Sequence, residues 1–133
     1  MTAAILVCED DPTHRELIRA SLARDGYRLF EIEDGRHLLG AVRSTRPDLL
    51  ILDLRMPESD GIEVLERLRA DEATAGVAVL VLSGAVRKAD REAAFAAGAD
   101  DFLAKPFSPR ALAEMVAGLV GQRHATAARV DAA

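Results

Sequence analysis

The 133-residue chain is half hydrophobic and 29% charged, enough apolar material for one domain core beneath a well-solvated surface. A formal net charge of −5 argues against a nucleic-acid groove in this domain. One cysteine, Cys8, rules out an intrachain disulfide, and no apolar run is long enough to cross a bilayer. "MTAAILVCEDD" has no basic n-region and its apolar stretch is cut short by acids, so it reads as neither signal peptide nor membrane span; a cytoplasmic location is expected.

"AAILVC" (3–8) is a short continuous apolar run, as in a strand buried on both faces. Asp11-Pro12 open a helix, Asp11 as N-cap and Pro12 at the first helical position. Leu17, Ile18 and Leu22 form its apolar stripe and Gly26 ends it. "YRLFEI" (27–32) is a second strand whose alternation suggests a sheet edge. Leu38, Leu39 and Val42 mark a second helix, ending before Pro47.

"DLLILD" (48–53) is the third strand, and "LRMPESDG" (54–61) is a loop punctuated by Pro57 and Gly61. Ile62, Leu65 and Leu68 define the third helix. "GVAVLVLSG" (76–84) is the fourth strand, again apolar on both faces. Residues 87–97 form an Ala-rich helix stopped by Gly98, and "DDFLA" (100–104) is the fifth strand. Ser108-Pro109 open a last helix carrying Leu112, Met115, Val116, Leu119 and Val120. The domain is expected over 1–121, with 122–133 a polar, Ala-rich tail, a frayed helix end or the start of a linker.

Five strand-then-helix repeats imply an α/β fold with a parallel sheet, helices on both faces and right-handed crossovers. A doubly wound five-stranded sheet of order 2-1-3-4-5 is the natural choice, with its ligand site at the carboxyl ends of the strands near the switch point between strands one and three. Strand one ends in Glu9, Asp10 and Asp11, and strand three in Asp53. Strand four ends in Ser83-Gly84, and Lys105-Pro106 follow strand five.

Each residue alone has a plain reading. Asp11 is a helix cap, Ser83 a hydroxyl bonded to backbone, Lys105 a surface charge and Cys8 a small buried hydrophobe. Periodicity alone makes Phe102 a core aromatic, and Phe107 an anchoring apolar contact. His14, without matching ligands, is a poor zinc site and is read as facing solvent or a partner. The coincidence at one edge carries the weight. Glu9, Asp10 and Asp53 together make an oxygen-ligand site for a hard divalent cation that keeps several waters, for which Mg²⁺ is the best fit.

The segments "ILVCEDDP", "PDLLILDLRMPESDG", "VLVLSG" and "GADDFLAKPFSP", in this order and spacing, resemble the receiver domain of bacterial two-component response regulators, a flavodoxin-like (βα)5 fold. The resemblance covers about residues 3–121. It implies a signalling module rather than a dedicated enzyme. Mg²⁺ would be bound by Glu9, Asp10, Asp53 and the backbone carbonyl of Arg55, and Asp53 would be the phosphorylated residue. Ser83 and Lys105 would assist, and Ser83 and Phe102 would form the switch. It also implies a cis Lys105–Pro106 bond. The implied partners are a sensor histidine kinase or a histidine phosphotransfer protein, and an output domain or target protein of unknown identity. The expected state is a monomer or weak dimer, because Ala111 and Met115 stand where helix five of dimerising receivers often carries a glutamate and an arginine.

Two other functions compete. A metal-dependent phosphatase with an aspartate nucleophile wants a second acid two residues later, where Arg55 stands. An adaptor that binds without phosphorylation would share the fold. The chain is read either as a complete single-domain regulator or as a fragment of a longer protein.

Overall fold

The computed structural model describes residues 2–56, 59–84 and 87–132. Five parallel strands, β1 (Ala4–Cys8), β2 (Arg28–Ile32), β3 (Leu49–Asp53), β4 (Ala78–Ser83) and β5 (Asp101–Ala104), form one sheet of order β2-β1-β3-β4-β5. The expected doubly wound order is therefore found. The helices are α1 (Pro12–Leu22), α2 (Leu38–Thr45), α3 (Gly61–Ala70), α4 (Lys88–Ala97) and α5 (Pro109–Ala132).

The continuous apolar runs follow from burial on both faces. Leu6, Cys8, Leu50, Leu52, Val79 and Val81 point to one side and pack with Leu38 and Val42 of α2, Val64, Leu65 and Leu68 of α3, and Ala94 of α4. The alternate residues Ile5, Val7, Leu49, Ile51, Leu80 and Leu82 pack with Ile18 and Leu22 of α1 and with Leu112, Val116, Leu119 and Val120 of α5. Period-two alternation within three central strands thus builds two cores. β2, at the edge, buries none of its residues fully, as its alternating sequence suggests.

Several local expectations are refined. Asp11 caps α1, its Oδ1 accepting from Thr13 N at 2.8 Å and His14 N at 3.4 Å. Leu17, expected in the apolar stripe, is instead 38% exposed. Ile18 and Leu22, four residues apart, define the buried line, and Leu17 lies about 100° off it. α1 stops at Leu22, and a 3₁₀ turn (Ala23–Asp25) leads to Gly26. The expected loop 54–61 contains a small antiparallel pairing of Arg55–Met56 with Ser59–Asp60; Pro57 lies outside the described residues. Gly98 ends α4 in the left-handed region, φ 114°, which glycine adopts without strain. α5 continues past Gly121 through the expected tail to Ala132.

Candidate functional site

The sheet register sets the site. Cys8 pairs with Leu52, so Glu9, just past the end of β1, and Asp53, the last residue of β3, stand side by side. Ser83 pairs with Ala104, which places Lys105 one residue beyond Ser83, and Lys105 N donates to Ser83 O at 2.9 Å. Strand ends one, three, four and five therefore converge at the carboxyl edge.

Lys105 is the hub. Its Nζ donates to Glu9 Oε2 at 2.8 Å and to Asp53 Oδ2 at 3.2 Å, and it lies 3.0 Å from His14 Nδ1. The Lys105–Pro106 bond is cis, as the sequence resemblance implied. Asp53 Oδ1 accepts from Arg55 N at 3.0 Å, so both carboxylate oxygens are engaged. Glu9 Oε1 accepts from Asp11 N at 3.2 Å. Glu9, Asp53 and Ser83 are buried, and among the described residues no buried side-chain N or O lacks a partner.

Burial pushes the Glu9 carboxyl above the ordinary glutamate range. The Lys105 hydrogen bond opposes that rise and the charge of Asp53 adds to it. Burial, reinforced by Asp34, Asp53, Glu9 and Asp10, pushes the Cys8 thiol up to about 12. Cys8 is fully buried among the core side chains, as its reading as a small buried hydrophobe expected.

Carboxylate oxygens of Glu9, Asp10 and Asp53 can be chosen that all lie within 4.8 Å of one another. Three hard oxygen donors at the rim of a sheet, one of them half-exposed, suit a hard divalent cation that retains waters. One lysine against three carboxylates leaves negative charge for such a cation to balance.

His14 is the residue that sequence reasoning underrated. It is partly exposed, as expected, yet it also faces Lys105 and lies 3.6 Å from Glu9 Oε1 and 3.9 Å from Asp11 Oδ2. The only sequence signal is its position in the first turn of α1; Lys105 is 91 residues away. Phe102 is buried in the α2–α4 core, and the Arg91 guanidinium carbon lies 5.4 Å from its ring centroid. Phe107 packs against the α1–α5 core. Arg55 is exposed beside the acidic edge.

The sheet order and the acidic edge define a class: a doubly wound signalling module of the receiver type. The model of the response regulator receiver domain matches residues 5–117, and the chain belongs to that family, the phosphoacceptor switches of two-component systems. It is 44% identical over 103 residues to the KDP operon transcriptional regulatory protein KdpE of Escherichia coli, covering 77% of this chain and 44% of that protein. It is 40% identical over 116 residues to the DNA-binding response regulator MtrA of Mycolicibacterium smegmatis, covering 87% and 50%. The chain thus spans about half the length of the curated relatives it matches. Among solved structures, a putative response regulator from Chloroflexus aurantiacus superposes with TM-score 0.85 at 30% identity, covering 91% of this chain and 99% of that one. Chemotaxis response regulator CheY4 of Vibrio cholerae gives TM-score 0.82 at 26% identity, covering 90% and 99%. Among the described residues, no helix is long and apolar enough to cross a membrane.

Proposed function

We propose that Asp53 is the phosphoacceptor and that the surrounding groups serve its phosphorylation. The observation that carries this reading is the Lys105 amine held between Asp53 and Glu9 at the edge where three carboxylates gather. A phosphohistidine on a sensor kinase or phosphotransfer protein is the donor. An Asp53 oxygen forms the new P–O bond as the P–N bond breaks, and the electron pair leaves on the imidazole nitrogen, which takes up a proton. Lys105 supplies a fixed positive charge to the phosphoryl oxygens, and the Ser83 hydroxyl donates a hydrogen bond to one of them.

Glu9, Asp10, Asp53 and the Arg55 carbonyl are the residues that would hold Mg²⁺. When bound, it neutralises charge between Asp53 and the incoming phosphoryl group. The acyl phosphate is reset when water attacks phosphorus and the carboxylate is released. The domain thus assists its own chemistry while acting as a switch. Phosphorylation adds about −1.5 to −2 charge, drawing Ser83 toward it, and Phe102 and the α4–β5–α5 surface transmit the change. The donor docks where Pro12, Thr13, His14, Pro106 and Phe107 ring the edge. Residues 1–121 are the receiver unit and 122–133 are a polar tail or the start of a linker, in a cytoplasmic protein that is monomeric or weakly dimeric and signals to an output domain or a separate target protein.

Acetyl phosphate or phosphoramidate with Mg²⁺ should add one phosphoryl group to the wild type and none to Asp53→Asn, read by intact mass. Full incorporation in the variant would overturn the assignment.

A further inference from the structure

Arg15 stands outside the phosphoryl chemistry, yet it grips the loop that carries the acid pair. Its Nη1 donates to the Glu9 carbonyl at 2.9 Å and to the Asp10 carbonyl at 3.1 Å. The side chain is only 14% exposed, and its Nη2 lies 3.3 Å from Glu33, a carboxylate 74% exposed. An ion pair with so exposed a partner contributes little. Two charge-assisted bonds from a largely buried guanidinium to successive carbonyls are the stronger part of the arrangement.

These bonds hold the peptide planes on both sides of Asp10. A residue between two held peptide planes has its Cα–Cβ direction set by the backbone. That matters most at Asp10. Glu9 and Asp53 are tied by Lys105 and by the backbone amides of Asp11 and Arg55. Asp10 has no comparable side-chain tie among the described residues. Its carboxylate nevertheless falls within the 4.8 Å cluster. The backbone N–H of Arg15 also donates to Asp11 O at 3.0 Å, so the anchor itself sits on a formed helical turn.

We propose that Arg15 is a positioning residue for the divalent cation: its guanidinium, by holding the Glu9 and Asp10 carbonyls, aims the Asp10 carboxylate into the cation site. The inference rests on the reading of Glu9, Asp10 and Asp53 as that site. Lysine at position 15 would keep the charge, but its shorter, flexible stem would not hold a donor where Arg15 Nη1 meets both carbonyls.

The test is Mg²⁺ titration followed by backbone amide NMR shifts, with no phosphodonor, on wild type, Arg15→Ala, Arg15→Lys, Asp10→Asn and the control Arg19→Ala. Arg19 is on the same helix but pairs with Glu31, away from the loop. Removing a group that orients a metal ligand commonly costs 10–100-fold in affinity, so the Mg²⁺ dissociation constant should rise roughly tenfold in Arg15→Ala. Arg15→Lys should fall between it and wild type, and Arg19→Ala should match wild type. In phosphorylation by acetyl phosphate, the half-saturating Mg²⁺ concentration should shift in parallel, while the rate at saturating Mg²⁺ stays within about twofold.

Unchanged Mg²⁺ affinity in folded Arg15→Ala overturns the proposal. So does full wild-type affinity in Arg15→Lys, since the guanidinium's particular hold on both carbonyls would then be dispensable. If Arg15→Ala does not fold, Arg15→Lys and Arg15→Gln decide by the same criterion. Wild-type affinity in Asp10→Asn, or no Mg²⁺ binding by wild type, would sink the underlying cation site instead.

Discussion

On the proposed reading, Lys105 carries two duties. It is the cation nearest to Glu9 and Asp53, whose side chains are only 2% and 6% exposed. Without it, two buried carboxylates would face each other uncompensated. Removing one partner from a buried ion pair costs several kcal/mol, because the remaining charge stays out of water. Lys105→Met should therefore lower stability to urea by about 3 kcal/mol in metal-free buffer, and Mg²⁺ should restore part of that loss. Equal urea midpoints for Lys105→Met and wild type would show that the lysine does not hold the acids together. The same variant should be slowed in accepting phosphoryl groups, whatever its stability.

At the scale of elements, the connections into and out of α3 set where the site stands. A Cβ at Gly61 would lie 2.6 Å from Leu54 Cα and 2.8 Å from Leu54 O, both backbone atoms that cannot swing aside. Gly61→Ala should cost about 1–3 kcal/mol by overpacking and disturb the turn after Asp53. Gly40→Ala, in α2 with nothing within 4 Å, should instead stabilise by up to about 1 kcal/mol. Thermal unfolding of the two variants should thus move in opposite directions. At the other end of α3, Asp71 accepts from Ala73 N at 2.9 Å and pairs with Arg43. The Ala73 bond and then the Arg43 bond hold its carboxyl below the ordinary aspartate value of 3.8. A depressed acid contributes stability above its unfolded value and loses it as pH falls through the folded one. The deficit of Asp71→Ala relative to wild type should therefore be full at pH 7 and shrink below the ordinary value of 3.8. A deficit constant down to strong acid would contradict the carboxylate's part in it.

For the whole molecule, the sheet separates two cores and presents the acids at one edge, so cation binding there would be linked to folding. A ligand that binds only the native state at 100 times its dissociation constant stabilises by about 2.7 kcal/mol. Saturating Mg²⁺ should raise the melting temperature of wild type, with a much smaller rise in Asp10→Asn; equal rises would place the binding elsewhere. On the proposed reading, the layered build gives a change at Asp53 a short route to a distant face. Asp53 ends β3 paired with Leu82 of β4, β4 pairs with β5, and Phe102 of β5 lies buried under Arg91 of α4. A shift at the acidic edge has only two packed strands to cross.

Much of this was legible in one dimension, because the relevant signals are local. Apolar runs of four to six residues, Asp11-Pro12 before a helix, and Gly98 after one each report on their own backbone, and their alternation dictates a parallel sheet with crossovers. Sheet order then predicts which strand ends meet, so the sequence alone groups Glu9, Asp10, Asp53 and Lys105. What tertiary structure alone decided concerns side chains whose partners lie far along the chain or on another face. Leu17 lost its place in the core to the Ile18–Leu22 line once α1 took its rotation against α5. His14 met Lys105 across 91 positions, and Arg15 turned inward to carbonyls that carry no sequence signature. Periodicity encodes which face a residue occupies, but the atoms waiting on that face are set by how separately formed elements pack.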